Sequence, residues 1–400
     1  MFWTNFIICP KHLVCLGKME KFLLTSMKKT FIIHFFVIIS FLLFSCSEIK
    51  QGDLPEIPVD IDQDFSLPLS DIAEDIIAID PELTDNSLIN TDKILRVFYE
   101  GDYLIIAEWS KIFVFDKAGK FVRSIGSIGQ GPGEYARGIE NVAFDKQNRR
   151  LFVCARPKII CYDLDGNFVK ETSFIIAQAF FSLITDMNYI NDELLLITEE
   201  SILVNETNIY KQFVAYQFNN ELQIIDTFTI RKIYFDQIGV YSSPFQDHIL
   251  YNNSTVYLYC PDLYVDSQNP AETVLRDTLY RIEECRLIPE LKLKFKNNGI
   301  MSGKKIIHLL NIYQSSRYIF AVYDKGEFGN LFHFCYDTKT GKGYNMKDGY
   351  TDDINKIEKR ITRIHPLNTN PEMLYYWDTH IKPDDREEPN PTFYVIKLKK

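Results

Sequence analysis

Positive charge is in short supply in this chain. Forty-four Lys and Arg stand against 54 Asp and Glu over 400 residues, a formal net charge of -10. A surface that tracks phosphates needs clustered Lys and Arg, so this balance argues against nucleic acid as a partner. Catalytic signatures are missing too. The seven histidines, His12, His34, His248, His308, His333, His365 and His380, form no HExxH or clustered ligand pattern. There is no GxSxG elbow, and the eight cysteines show no CxxC spacing. Gly129-Gln130-Gly131-Pro132-Gly133 lacks the Gly-Lys-Ser/Thr ending of a phosphate loop, and Pro132 removes an amide that could hold an anion. Asp60, Asp62 and Asp64 lack the turn glycine and distal glutamate of a calcium loop. The sequence therefore names no catalytic, cofactor-binding or metal-ligating residue, and no cofactor is expected.

Long apolar runs are equally scarce, with one exception. Thr30 to Phe44 is almost wholly apolar, preceded by Met27-Lys28-Lys29 and closed by Leu43-Phe44-Ser45-Cys46. Its length is near the lower limit for a membrane span. The basic-apolar-Ser-Cys order instead resembles a bacterial lipoprotein signal. That resemblance implies removal of residues 27–45 and lipid attachment at Cys46. The chain would then be held on the membrane by more than one acyl group, in the cell envelope, as an outer-membrane lipoprotein facing the periplasm or the cell surface. The signal reads cleanly from Met27, so residues 1–26 are expected to be an upstream extension, and residues 46–56 a polar tether. Without residues 1–45, 39 basic and 53 acidic side chains remain, a net charge of -14. Cys154, Cys161, Cys260, Cys285 and Cys335 are odd in number and read as small buried hydrophobes rather than disulfides or metal ligands.

What is plentiful is β-structure. Tyr and Phe number 23 and 30, and short β-branched and aromatic runs alternate with Asp/Asn/Gly turns. Ile94 to Phe98, Tyr103 to Ala107, Lys111 to Phe115 and Phe121 to Ile125 read as four strands. A second round follows at Ile139 to Phe144, Arg150 to Cys154, Lys158 to Tyr162 and Phe168-Val169. The turn residues Asp116 and Gly119 recur as Asp163 and Gly166, both 47 residues later. Asp116, Asp145 and Asp163 are expected to bond their own turns. Looser rounds continue to the terminal strand Thr392 to Leu398. Six rounds predict an all-β fold, a six-bladed β-propeller over residues 57–400, because one four-stranded blade cannot bury both its faces alone. Thr392–Leu398 and an N-terminal strand, Ile57 to Phe65 or nearby, are expected to close the last blade together. Leu67 to Ile79 fits either a short helix or an irregular strand.

Phe115-Asp116-Lys117-Ala118-Gly119-Lys120-Phe121 with Ser124-Ile125-Gly126-Ser127-Ile128-Gly129-Gln130-Gly131-Pro132-Gly133-Glu134-Tyr135 resembles the signature of the six-bladed β-propeller lipoproteins of Bacteroidetes, related in blade pattern to NHL-repeat proteins. Asn390 to Lys399 resembles the C-terminus of that family. The resemblance implies fold and export, and brings no catalytic residues. The glycine string is then an interblade turn, with Glu134 and Tyr135 capping it or facing a neighbouring blade. Asp236 to His248, Tyr264 to Thr273 and Lys294 to Lys305 are long for interstrand turns and are candidate binding loops. The expected function is a non-catalytic binding or scaffold propeller for an envelope protein, peptide or glycan. The alternative is a propeller-type lyase or hydrolase with its active site in the funnel. Histidines and carboxylates converging there would favour the enzyme, whereas aromatics and unpaired polar groups would favour binding.

Overall fold

The computed structural model describes residues 54–235, 249–252, 255–261, 275–284, 286–301, 304–327, 329–379 and 389–400. Cys46, Cys285 and the loops Asp236 to His248 and Tyr264 to Thr273 lie outside the described residues.

The strands fall into six blades, each built outward from an inner strand. Blade 1 is Ile94–Glu100, Tyr103–Glu108, Ile112–Asp116 and Phe121–Ile125. Blade 2 is Asn141–Asp145, Arg150–Ala155, Lys158–Asp163 and Phe168–Ser173. Blade 3 has the longest strands, Phe181–Ile190, Glu193–Leu203, Ile209–Phe218 and Ile224–Phe235. Blade 4 is Ile249–Asn252, Thr255–Leu258, Thr278–Glu283 and Arg286–Phe295. Blade 5 is Ile307–Gln314, Tyr318–Lys325, Leu331–Asp337 and Lys342–Lys347. Blade 6 is His365–Leu367, Asn370–Asp378, Thr392–Leu398 and Ala73–Ile79. Within the four strands of each blade all pairs are antiparallel, and outside blade 6 they follow one another in chain order, as tight turns between short strands require.

The core is six interfaces rather than one centre. Alternate residues along a strand point to opposite faces, so each blade offers one apolar set to each neighbour. Val114, Tyr135, Val153 and Tyr162 fill the seam between blades 1 and 2, and Phe152, Cys161, Leu194 and Phe218 that between blades 2 and 3. Leu279, Leu293, Ala321 and Phe334 pack blade 4 on blade 5, and Phe320, Cys335, Tyr376 and Ile396 pack blade 5 on blade 6. Phe113, Phe115, Phe393 and Val395 join blade 6 to blade 1 and close the ring. The seam between blades 3 and 4 is the leanest. Leu258 is its one fully buried apolar contribution from blade 4 among the described residues, beside partly buried Val256, Ile282 and Leu287. Cys154, Cys161 and Cys335 are buried free thiols, as expected of small hydrophobes, whereas Cys260 is only partly buried.

The last blade is closed by an N-terminal and the C-terminal strand together, as expected, but the N-terminal partner is not Ile57 to Phe65. Ala73–Ile79 pairs antiparallel with Thr392–Leu398, Ile76 opposite Ile396 and Ile79 opposite Phe393. Ile57 belongs instead to Glu56–Val59, which runs parallel to Arg286–Phe295 as a fifth, outermost strand of blade 4. Its inward side chains Ile57 and Val59 are buried in the seam with blade 5, so its alternation satisfies a different edge. Both readings of Leu67 to Ile79 hold in part. Leu69–Ile72 forms one helical turn before the strand begins at Ala73.

The repeated Asp-x-x-Gly turns join the third and fourth strands of blades 1 and 2. Asp116 Oδ1 accepts from the Ala118 and Lys120 amides, both at 2.9 Å, and Asp163 Oδ1 from the Asn167 amide at 2.8 Å. Gly119 and Gly166 have φ of +83° and +86°, and each lies under the outer strand of the preceding blade. A Cβ on Gly119 would meet the Asp80 carbonyl oxygen at 2.0 Å. Glycine is required there by backbone hand and by close approach together.

Candidate functional site

Two polar features face the middle of the ring. On the inner strands of blades 1, 3 and 5, one extra residue bulges between Ile94 and Arg96, between Ile184 and Asp186, and between Leu309 and Asn311. A bulge re-aims the following side chain. Arg96 Nε donates to Asn141 Oδ1 at 3.2 Å, and an Arg96 terminal nitrogen pairs with Asp186 Oδ1. Asn141 Oδ1 and Asp186 Oδ1 also accept the next residue's amide, from Val142 at 2.9 Å and Met187 at 2.7 Å. All three side chains are buried. Blades 1, 2 and 3 are thus tied at one level by a dry ion pair, a construction that holds register rather than a ligand.

The second feature is a cavity of about 410 Å³ beside the inner strand of blade 6. That strand, His365–Leu367, has three residues where its counterpart in blade 5 has eight, and the cavity fills the gap toward blades 5 and 1. From blade 5 come Leu310, Val322, Asp324, Leu331 and His333. Val322 lies opposite His333 and Asp324 opposite Leu331, so these four share one face of the sheet. From blade 6 come the rings of His365, Tyr375 and Trp377. His365 stacks on Trp377 with centroids 5.3 Å apart and planes 8° apart, and on Tyr375 at 5.3 Å and 26°. A pocket of this size, mostly apolar with a few placed polar groups, is what a small ligand or a single side chain requires.

Two titratable groups in this wall are displaced by burial. His333 is held neutral, its pKa pushed down to about 4 because the charged ring would be desolvated. Its Nε2 lies 3.0 Å from the Thr362 carbonyl oxygen, which can only accept, so Nε2 carries the proton. Asp324 is fully buried and pushed up to about 6, again by desolvation. Its Oδ1 accepts from the Gly329 amide at 3.0 Å, while its Oδ2 is buried with no hydrogen-bond donor. His308 is its direct partner across the strand pair. Among the described residues no group of three or more His, Cys, Asp or Glu could hold a metal ion.

The glycine string connects blades 1 and 2 as expected. Glu134 Oε2 accepts from the Gly131 amide at 2.8 Å, and Tyr135 is buried with its hydroxyl donating to the Ile125 carbonyl at 2.7 Å. Tyr162 of blade 2 donates to the Gly133 carbonyl at 2.5 Å, and Lys158 Nζ to that of Gly131 at 3.0 Å. Every one of these contacts is internal. Asp145 bonds its own turn through the Asn148 amide at 3.0 Å. Lys294 to Lys305 begins in the strand Arg286–Phe295 and continues, among the described residues, as the 3-10 turn Lys296–Gly299 and the paired segments Ile300–Met301 and Lys304–Lys305. Histidines that look scattered in the sequence are not scattered in space, since His333 and His365 line one cavity. Asp324 was invisible as a site residue because nothing in its local sequence announces its burial.

Residues 54–388 match the family described as "Domain of unknown function (DUF4934)". The chain belongs to the DUF4934 family. That match begins where the described residues begin, and it spans the whole ring up to the last strand. No curated protein matches the chain. Among solved structures, a Bacteroides fragilis protein provisionally classed as exported superposes with a TM-score of 0.57 at 16% identity, covering 86% of this chain and 100% of that one. A Bacteroides caccae protein of unknown function gives a TM-score of 0.37 at 11% identity, over 72% of this chain and 88% of that one. The first likeness shows a shared fold, and the six-bladed ring of this DUF4934 chain agrees with it.

Proposed function

We propose that this chain is a lipid-anchored cell-envelope propeller, akin to the NHL-like lipoproteins of Bacteroidetes, that binds an envelope protein, peptide or glycan without converting it. The observation that carries the binding role is the cavity between blades 5, 6 and 1. It joins stacked rings, an aliphatic floor and a buried carboxylate oxygen without a donor. Exposed apolar side chains on the turns at the same end of the ring, Trp109, Phe180, Leu203 and Val204, give a larger partner further contact area. Lipid attachment at Cys46 and export are supported by the leader sequence, and the structural likeness to a Bacteroides fragilis protein provisionally classed as exported is in keeping with them. A second reading, a funnel hydrolase or lyase, draws on Asp324, whose pKa of about 6 suits a general acid.

Pulldown from envelope extracts with the full chain and with Trp377→Ala tests the main reading. A partner captured intact by the native chain and lost with the variant is expected. Equal capture by both would overturn the pocket as the site, and cleavage of the captured partner would move the assignment to the enzyme. Mass spectrometry of the membrane-extracted protein should find a diacylated Cys46, and an intact sequence upstream of it would sink the anchor.

A further inference from the structure

The side chains around Asp324 narrow what the cavity can hold. Asp324 is fully buried, and its Oδ2 has no hydrogen-bond donor. A desolvated carboxylate in a protein interior is normally met by a cation or by several donors. Across its strand lie His308 on one side and Leu331 on the other, and two residues back along its own strand lies Val322. Leu310, Val322 and Leu331 pack as a small aliphatic cluster of their own. This strip offers contact to methylene groups and no partner to a hydroxyl. The cavity is also lined by His365, Tyr375 and Trp377, whose rings stack on one another and whose aromatic surface attracts positive charge. Arg363 also lines the cavity, but it is exposed and solvent screens its charge.

A neutral sugar would set hydroxyls against Leu310, Val322 and Leu331, with polar contact left to Asn311, His333 and Thr362 of the lining. A flexible methylene stem ending in an ammonium fits both halves, the stem on the aliphatic strip and the head between Asp324 and the rings. We propose that the cavity receives an alkylammonium group, such as a lysine side chain or a free aliphatic amine. This deepens the binding reading above and rests on it.

Calorimetric titration of the full chain with n-pentylammonium, with 1-pentanol and with a panel of neutral oligosaccharides tests the assignment. The ammonium should bind at least ten-fold more tightly than the alcohol of the same length, and Asp324→Asn should abolish that difference. Nα-acetyl-lysine amide should bind, and its Nε-acetylated form should not. Tighter binding of a lysine-containing peptide than of pentylammonium identifies a peptide source, and equal binding identifies a free amine. Equal affinity for pentanol and pentylammonium on the native chain overturns the proposal and needs no variant to fold. Oligosaccharide binding without amine binding also overturns it while leaving the pocket a binding site. Binding of neither class, together with unchanged pulldown by Trp377→Ala, removes both readings.

Discussion

Replacing Asp324 by Asn should make the empty protein more stable. The fold holds this carboxyl at about 6 against an ordinary 3.8. Two pKa units correspond to about 3 kcal/mol by which the folded state disfavours the charged form at neutral pH. Asn keeps the shape and the acceptor for the Gly329 amide. It places an amide donor where Oδ2 stood, and an unpaired buried donor returns about 1–2 kcal/mol of that gain. The net is about 1–2 kcal/mol in favour of the variant, a rise in Tm of about 1–3 °C for a ring this size. The pH dependence fixes the cause. A folded pKa raised above the unfolded one means that the native chain gains stability as pH falls from 6 toward 4, whereas the Asn variant has no such proton to take up. The advantage of the variant should therefore be full at pH 7 and vanish by about pH 4. His333 titrates in the opposite sense, but it is common to both proteins and cancels in the difference. Paired denaturant titrations at pH 7.5, 6 and 4.5 measure it. A variant less stable than the native chain at pH 7.5, or a gain that does not change with pH, would refute the reasoning.

Other perturbations follow from the same geometry. His333, held near 4 in the fold against 6.5 unfolded, should cost the native protein about 3 kcal/mol as pH falls from 6.5 to 4; His333→Gln should flatten that slope in denaturant titrations. Arg96→Met removes the cation paired with buried Asp186 and should destabilise by about 3–5 kcal/mol, with much of the loss recovered in Arg96→Met/Asp186→Leu. Calorimetry of the single and double variants separates a lost charge pair from lost packing. Tyr135→Phe removes the hydroxyl donated to the Ile125 carbonyl and should cost about 1 kcal/mol, read as a shift of the urea midpoint with an unchanged slope.

The ring itself was legible because its signals are local and repeated. Asp116 and Gly119 recur at Asp163 and Gly166, and Asn191-Asp192 supplies two successive positive φ residues at a two-residue hairpin. Both kinds of turn depend on the residues that make them. The closing strand was misassigned for a reason of the opposite kind. Ile57–Val59 and Ala73–Ile79 carry similar short apolar patterns, and which edge each meets is settled by residues more than 200 positions away. The candidate site was hidden in the same way. Asp324, His333, His365 and Trp377 belong to two consecutive blades, and only the packing of one blade on the next brings them to one cavity. A trace of the axial cluster did exist, since Arg96, Asn141 and Asp186 stand at equal intervals of 45 residues. Read beside the repeating turns, that interval marks one position on three successive inner strands.

Ring closure by Ala73–Ile79 and Thr392–Leu398 also sets a timetable. The two strands are separated by nearly the whole chain, and synthesis at about 5–20 residues per second puts roughly 15–60 s between them. Throughout that interval the earlier strand has no sheet to join, and a free strand edge is a template for wrong partners. Its sequence, Ala-Glu-Asp-Ile-Ile-Ala-Ile, carries Glu74 and Asp75 at its leading end, both exposed in the finished ring. Negative charge there keeps a waiting strand soluble without obstructing the Ile76–Ile396 and Ile79–Phe393 pairs that later lock it. Removing Thr392–Lys400 would make the wait permanent. Such a chain should lose cooperative thermal unfolding by circular dichroism, whereas a truncated chain that still melts in one sharp transition would show that the ring holds without its clasp.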